Sequence, residues 1–299
     1  MAASILFPSN RYHVRSSSMP SRSHPTTEKV VEKLNQMREW ESLPSTSSSS
    51  LCTGLSGLSD LYRSIDDLLQ LPQTQQALLA CTKKKFVDEV LDASLRLLDS
   101  CATSRDIMLQ MTDAVKDLQL ALRRRVAPKT EILEQAISTF MSLAKKIKKK
   151  ATKCLKALKT QKFDFSSLSD GSQLHIVEVM TVIRDARSFA NSILEQLLSF
   201  VSVSNSRSMK TSSIVLKWIG SGRVACNEEA EKMNDMERLY ASLSVLCSHK
   251  SEKESKQVQN AQEQLKTFLD GIQGLEVGLD LLHRRLIQTR VSLLNILSH

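Results

Sequence analysis

Lys129 to Lys162 reads K-T-E-I-L-E-Q-A-I-S-T-F-M-S-L-A-K-K-I-K-K-K-A-T-K-C-L-K-A-L-K-T-Q-K, and this stretch decides the fold. Leu133, Ile137, Phe140, Ala144, Ile147, Ala151, Cys154 and Leu158 follow one another in alternating steps of four and three. That is the spacing of a coiled-coil seam, a narrow apolar stripe held against a partner helix. Nearly everything off the stripe in the second half is lysine: Lys145, Lys146, Lys148, Lys149, Lys150, Lys153, Lys156, Lys159 and Lys162. No acid occurs between Glu134 and Asp164. The chain has 41 basic and 32 acidic residues, a formal charge of +9, and these nine lysines equal that excess. A helical protein concentrates its charge on one element.

The polarity of this helix suits its dipole, with Thr130 placed to cap it, Glu131 and Glu134 in the first turn and lysines at the far end. The crowding opposes it. Lys145/Lys149, Lys146/Lys150 and Lys149/Lys153 are like-charge neighbours costing about 0.2–0.5 kcal/mol each. Burial of the stripe, at roughly 1.5–3 kcal/mol per large side chain, outweighs that cost. The helix can therefore be stable while carrying an unneutralised face of Lys145, Lys146, Lys148, Lys149, Lys150, Lys153 and Lys156.

Three readings compete for that face. A charge run is ordinarily a solvated surface, or one screened by acidic helices of the same chain. Glu228, Glu229, Glu231, Asp235 and Glu237 form a candidate screen. The second reading is an anionic membrane surface or an acidic protein partner. Half of the lysines at about 1 kcal/mol each would give about 4–5 kcal/mol, weak and reversible without a second signal. Nucleic acid ranks last, because aromatics to stack bases are missing between Phe140 and Phe163 and no recognised binding module appears.

At 299 residues the chain can bury a substantial core, and 8 Gly, 6 Pro and 4% aromatics favour long helices over a sandwich or barrel. The six cysteines are far apart, with no CxxC, so they read as buried residues or free thiols in a reducing compartment. The expected location is the cytoplasm. No run of about 18 apolar residues marks a transmembrane helix. Ser, His and acidic residues occur, but no spacing places them in a nucleophile–base relation, and neither a cofactor nor a metal site is expected.

Residues 1 to 27 hold no acid, three arginines and nine Ser or Thr, a composition like that of an organellar transit peptide or a polar disordered arm. A plastid location is therefore an alternative, as is peripheral membrane association through the lysine face. Within the arm, Arg15-Ser16-Ser17-Ser18-Met19-Pro20 fits R-S-x-S-x-P. Phosphorylated Ser18 would be held by the arginine cluster of a 14-3-3 protein, with Arg15 serving the basophilic kinase and Pro20 turning the peptide out of the groove.

Thr26 or Thr27 is expected to cap a short helix with Val30, Val31, Leu34, Met37 and Trp40 on one face, ending before Pro44. Ser45 to Ser50 reads as a low-complexity linker. Leu55, Leu58, Tyr62, Ile65, Leu68 and Leu69 then give a helical stripe that Pro72 interrupts. A longer run opens at Lys83 and passes through Val90, Leu97, Cys101, Met108, Met111, Val115 and Leu122 to Arg123-Arg124-Arg125, with Pro128 as its stop.

Several segments resemble one plant family. They are G-L-S-G-L-S-D-L-Y, D-D-L-L-Q-L-P-Q-T-Q-Q-A-L, S-L-R-L-L-D-S-C, D-L-Q-L-A-L-R-R-R, the arm's R-S-S-S-M-P-S-R-S-H-P and L-H-R-R-L-I-Q-T-R-V-S-L-L-N-I-L-S-H. Together they look like the BYPASS-related proteins, long labelled a domain of unknown function (number two-four-one). The resemblance runs from about residue 13 to the C-terminus. It implies a plant protein linked to root and shoot development and supplies no catalytic residue, cofactor or reaction to carry over.

Phe163 to Gly171 reads as a loop, after which Ser172 is placed to cap a helix to about Val203 with Leu174, Val177, Met180, Ile183, Ala186, Phe189, Ile193, Leu197 and Phe200 inward. His175 stands alone there, more a satisfied surface histidine than a ligand. Trp218-Ile219 reads as a core anchor, and Gly220-Ser221-Gly222 is a breaker without a phosphate-loop context. A last long helix runs to Leu297, with Gly271, Gly274 and Gly278 on one side, marking either close approach of another helix or a kink. The expected architecture is all-α: residues 1–50 an arm with one short helix and a serine-rich linker, and residues 51–299 a bundle of long antiparallel helices. The expected function is that of a noncatalytic interaction or regulatory protein, with a protein partner. The alternative is a peripheral membrane-associated trafficking or scaffold factor.

Overall fold

The computed structural model describes residues 24–43, 47–79, 84–123, 130–159, 174–202, 234–248 and 254–298. Among them are eight helices and no strand: α1 (Pro25–Ser42), α2 (Ser48–Leu69), α3 (Pro72–Leu79), α4 (Lys84–Arg123), α5 (Thr130–Lys159), α6 (Leu174–Val201), α7 (Asp235–Ser248) and α8 (Glu254–Ser298). The all-α expectation holds. Trp218 to Gly222 and the loop at Phe163 lie outside the described residues.

Serines begin the second helix instead of linking it to the first. Ser47 accepts the amide of Ser50 at 3.2 Å as its N-cap, and Ser48 to Ser50 form the first turn. Serine is a weak helix former but a good cap, and here packing adds to capping. Ser48 donates through its hydroxyl to Asp235 at the start of α7, at 2.6 Å. The cap of α1 also differs from expectation. His24 takes that role, its Nδ1 accepting from the Thr26 amide at 3.2 Å, and Pro25 occupies the first turn, where its missing N–H costs nothing. Val30, Leu34 and Met37 of α1 are buried in the same core as α2. Val31, expected beside them, is exposed.

The long helices α4 and α8 pack along each other, and α2 lies against both α8 and α6. Three glycines set the α2–α8 distance. A methyl group on Gly271 would lie 2.8 Å from Ser48 Cβ, on Gly274 3.0 Å from Cys52 Sγ, and on Gly278 3.0 Å from Leu55 Cδ1. The glycine stripe is therefore a close helix–helix approach. The other side of α2 repeats the device, since a methyl on Gly54 would sit 2.5 Å from the Trp40 ring of α1. The ring cannot swing freely, because its Nε1 donates to the Ser50 carbonyl at 3.0 Å.

On α6, Met180, Ala186, Phe189, Ile193, Leu197 and Phe200 are buried and Ile183 is half-buried. Val177 is the exception: it is exposed, while Ile176 and Val179 are buried. The helix meets α1, α2, α3, α4 and α5, so its buried arc is wider than one stripe and is turned away from Val177 in the first turns. Phe200 stacks on Phe268 of α8, centroids 6.1 Å apart.

Candidate functional site

The seam of α5 is turned inward, against α4 and α6. Ile137, Phe140, Ala144, Ile147, Ala151 and Leu158 are buried, while Leu133 and Cys154 are half-buried. Because that stripe takes one side of the helix, steps of three and four starting at Lys145 must fall on the other. Lys145, Lys149, Thr152 and Lys156 follow such steps, with Lys148 and Lys153 flanking them, and these six line an open recess of about 520 Å³. Lys145, Lys146, Lys149, Lys153 and Lys156 are exposed; Lys148 and Lys150 are half-buried. Lys150 leans to the α4 side, where its Nζ lies 3.3 Å from Asp106 Oδ2.

The described carboxylates of the acidic segment do other work. Asp235 accepts from both the amide and the hydroxyl of Ser48, at 3.2 and 2.6 Å. Glu237 closes a capping box with Asn234: the Asn234 amide donates to Glu237 at 3.0 Å and the Glu237 amide donates to Asn234 at 2.9 Å. The following turn brings Tyr240 to Phe140, centroids 6.2 Å apart, on the seam side of α5 and ahead of the lysines. Glu228, Glu229 and Glu231 lie outside the described residues, as do Arg15, Ser18 and Pro20 of the phosphopeptide motif.

The remaining chemistry-bearing groups are engaged or muted. His175 Nε2 sits 3.2 Å from Thr74 Oγ1, and its Nδ1 3.8 Å from Glu178. Cys52, Cys101 and Cys154 are free thiols. Burial pushes all three above the usual thiol range, Cys101 to about 12, so none is a ready thiolate at neutral pH. No group of three His, Cys, Asp or Glu side chains comes together for a metal among the described residues. No helix among them is long and apolar enough to cross a membrane.

A second cluster was not visible in the sequence. Tyr62, Arg187 and Arg290 come from α2, α6 and α8 and meet at a small cavity, although more than a hundred residues separate each from the next. The local signal is faint: an arginine one residue beyond the buried Ala186, and another beside the buried Thr289.

Among the curated proteins and the solved structures, none matches the chain. A protein-family model described as Protein BPS1 matches residues 54–296, consistent with the BYPASS-related resemblance, and on that match the chain belongs to the BPS1 family.

Proposed function

We propose that this chain is a noncatalytic interaction protein that regulates plant development, root and shoot included, and that the lysine face of α5 receives an anionic partner. Membership of the BPS1 family supports the developmental part of the reading. One observation carries the surface: Lys145, Lys149, Lys153 and Lys156 stand exposed along one recess, while Asp235 and Glu237 are spent on capping and on Ser48. Lys150 is paired with Asp106, but Lys145, Lys149, Lys153 and Lys156 repel their lysine neighbours along the helix, and Asp235 and Glu237 do not answer that charge, which an external anion would. The first partner class is an acidic protein surface. The arm would add a switch, phosphorylated Ser18 engaging a 14-3-3 protein in the cytoplasm.

The second reading is an anionic bilayer. Five exposed lysines at about 1 kcal/mol each give about 5 kcal/mol, a reversible contact that a second signal would have to reinforce. Co-sedimentation with phosphatidylserine-containing and pure phosphatidylcholine vesicles separates the two. Binding confined to the anionic vesicles and lost on charge reversal at Lys145, Lys146, Lys149 and Lys150 favours the membrane. Affinity purification of the wild type, the same reversal and Ser18→Ala, read by mass spectrometry, tests the protein partner. Unchanged binding partners across all three forms would refute the proposed surface and switch.

A further inference from the structure

The lysine face of α5 has a shape as well as a charge. Lys145, Lys148, Lys149, Thr152, Lys153 and Lys156 surround about 520 Å³ of open space. Sites for small molecules commonly hold about 300–1,000 Å³. Thr152 is the one short side chain in that lining. Its hydroxyl donates back to the Lys148 carbonyl at 2.8 Å, so it supplies room in the row rather than a donor. Two lysines of the stretch are already engaged: Lys150 with Asp106, and Lys148, half-buried, in an interaction of its own. Lys145, Lys149, Lys153 and Lys156 are exposed, and none of these four lies within ion-pair distance of an acid among the described residues.

Steps of four, four and three hold the Cβ atoms of these four about 5–6 Å apart. No arginine occurs between Lys129 and Lys162. An ammonium is a point charge with three donors on a flexible stem, without the planar fork by which arginine grips a carboxylate. A row of ammonium groups therefore reads the density of negative charge. A carboxylate brings one charge and a phosphate monoester about 1.5–2 at neutral pH, so about two to three phosphates on one compact body neutralise the four lysines. A bilayer is the poorer match. No large exposed hydrophobic residue lies between Ile132 and Val177 among the described residues, so nothing beside the recess would enter hydrocarbon, and a flat surface does not fill a recess. We infer that the recess binds a soluble, compact molecule carrying at least two clustered phosphates, held by Lys145, Lys149, Lys153 and Lys156. Such a ligand rests on the reading that the lysine face receives an anion, and it uses the same lysines.

Isothermal titration calorimetry of the full chain with inositol hexakisphosphate, orthophosphate and poly-glutamate tests the site. Saturable one-to-one binding of inositol hexakisphosphate is expected, at least about a hundredfold tighter than orthophosphate, the gain from two further charge-assisted contacts at about tenfold each. Lys149→Gln and Lys153→Gln should each weaken it about tenfold. Both should keep native circular dichroism, because these residues are exposed and their loss relieves repulsion. Lys146→Gln, exposed on the same helix but outside the recess, should weaken binding no more than about threefold, since solvent and salt screen a charge off the site. Equal losses in Lys146→Gln and Lys149→Gln would reduce the site to diffuse charge and overturn the assignment. Capture of the chain by vesicles containing phosphatidylinositol bisphosphate, with no release into excess inositol hexakisphosphate, would place the anion in a bilayer and overturn it as well. Poly-glutamate bound, with loss on the charge reversal, and inositol hexakisphosphate not bound would overturn the phosphate ligand and leave the acidic partner standing. Binding of neither would overturn both.

Discussion

Thr289 donates its hydroxyl to Asp66 Oδ1 at 2.6 Å, joining α8 to α2 through a carboxyl that is 5% exposed. The other oxygen, Oδ2, has no hydrogen-bond partner among the described residues. Burial dominates this group: it lifts the pKa from 3.8 to about 6, against the opposing pull of the Thr289 hydrogen bond and of Arg285. The native state therefore holds a proton that the unfolded chain has released, so stability falls as pH rises from about 4 to about 6. The contribution lost is about 2–3 kcal/mol at 1.36 kcal/mol per pKa unit. Urea midpoints measured from pH 4 to 7.5 should show this slope in the wild type and a flatter profile in Asp66→Asn.

The glycines of the α1–α2 and α2–α8 contacts should differ in a defined order. Gly54→Ala would drive a methyl to 2.5 Å from the anchored Trp40 ring, so a loss of about 2–3 kcal/mol is expected from overpacking. Gly274→Ala meets only the end of the Cys52 side chain at 3.0 Å. A gain of about 1 kcal/mol in helix propensity should offset that contact and leave the variant near neutral. Thermal unfolding of the two variants checks the order.

Lys149→Glu should move stability and binding in opposite directions. It replaces two like-charge pairs, with Lys145 and Lys153, by two attractive ones, worth about 0.8–2 kcal/mol of stabilisation together. It also removes charge from the middle of the recess. A higher melting temperature with weaker capture of anionic vesicles or partners would mark the face as functional. Capture of anionic vesicles or partners unchanged in Lys149→Glu would mark the face as architectural.

Arg290 ties α8 to α4 through the Leu91 carbonyl and Ser94 Oγ. Arg290→Met keeps the apolar stem and removes the guanidinium, and should cost about 1.5–3 kcal/mol in chemical denaturation, the range for hydrogen bonds to a charged group.

What was legible in the sequence follows the length scale of the signal. The α5 seam repeats over eight positions, and all eight are buried or half-buried. The glycines of α8 were visible as one side of a helix, but choosing contact over kink needed Ser48, Cys52 and Leu55, which lie more than two hundred residues away. Ser48 to Ser50 read as a linker because serine propensity is low, whereas the bond to Asp235 and the fit against Gly271 are tertiary facts. Thr26 and Thr27 are better cap residues than histidine in isolation, so local propensity does not single out His24. Val177 departs from the stripe because α6 is covered by five neighbouring helices and its buried arc is broader than a stripe. The seven lysines of the proposed face were named from sequence alone, but the exposure of five of them, and the lean of Lys150 to Asp106, required the packed bundle.

Lysine acetylation of the folded full-length chain, read by mass spectrometry with and without phosphatidylserine vesicles or captured partner, probes the lysine face directly. Lys145, Lys149, Lys153 and Lys156 should react as open surface lysines in the free protein and be protected once an anionic surface is bound. Protection of these four already in the free protein, relieved only on unfolding, would contradict the account and make the face part of the bundle's own architecture.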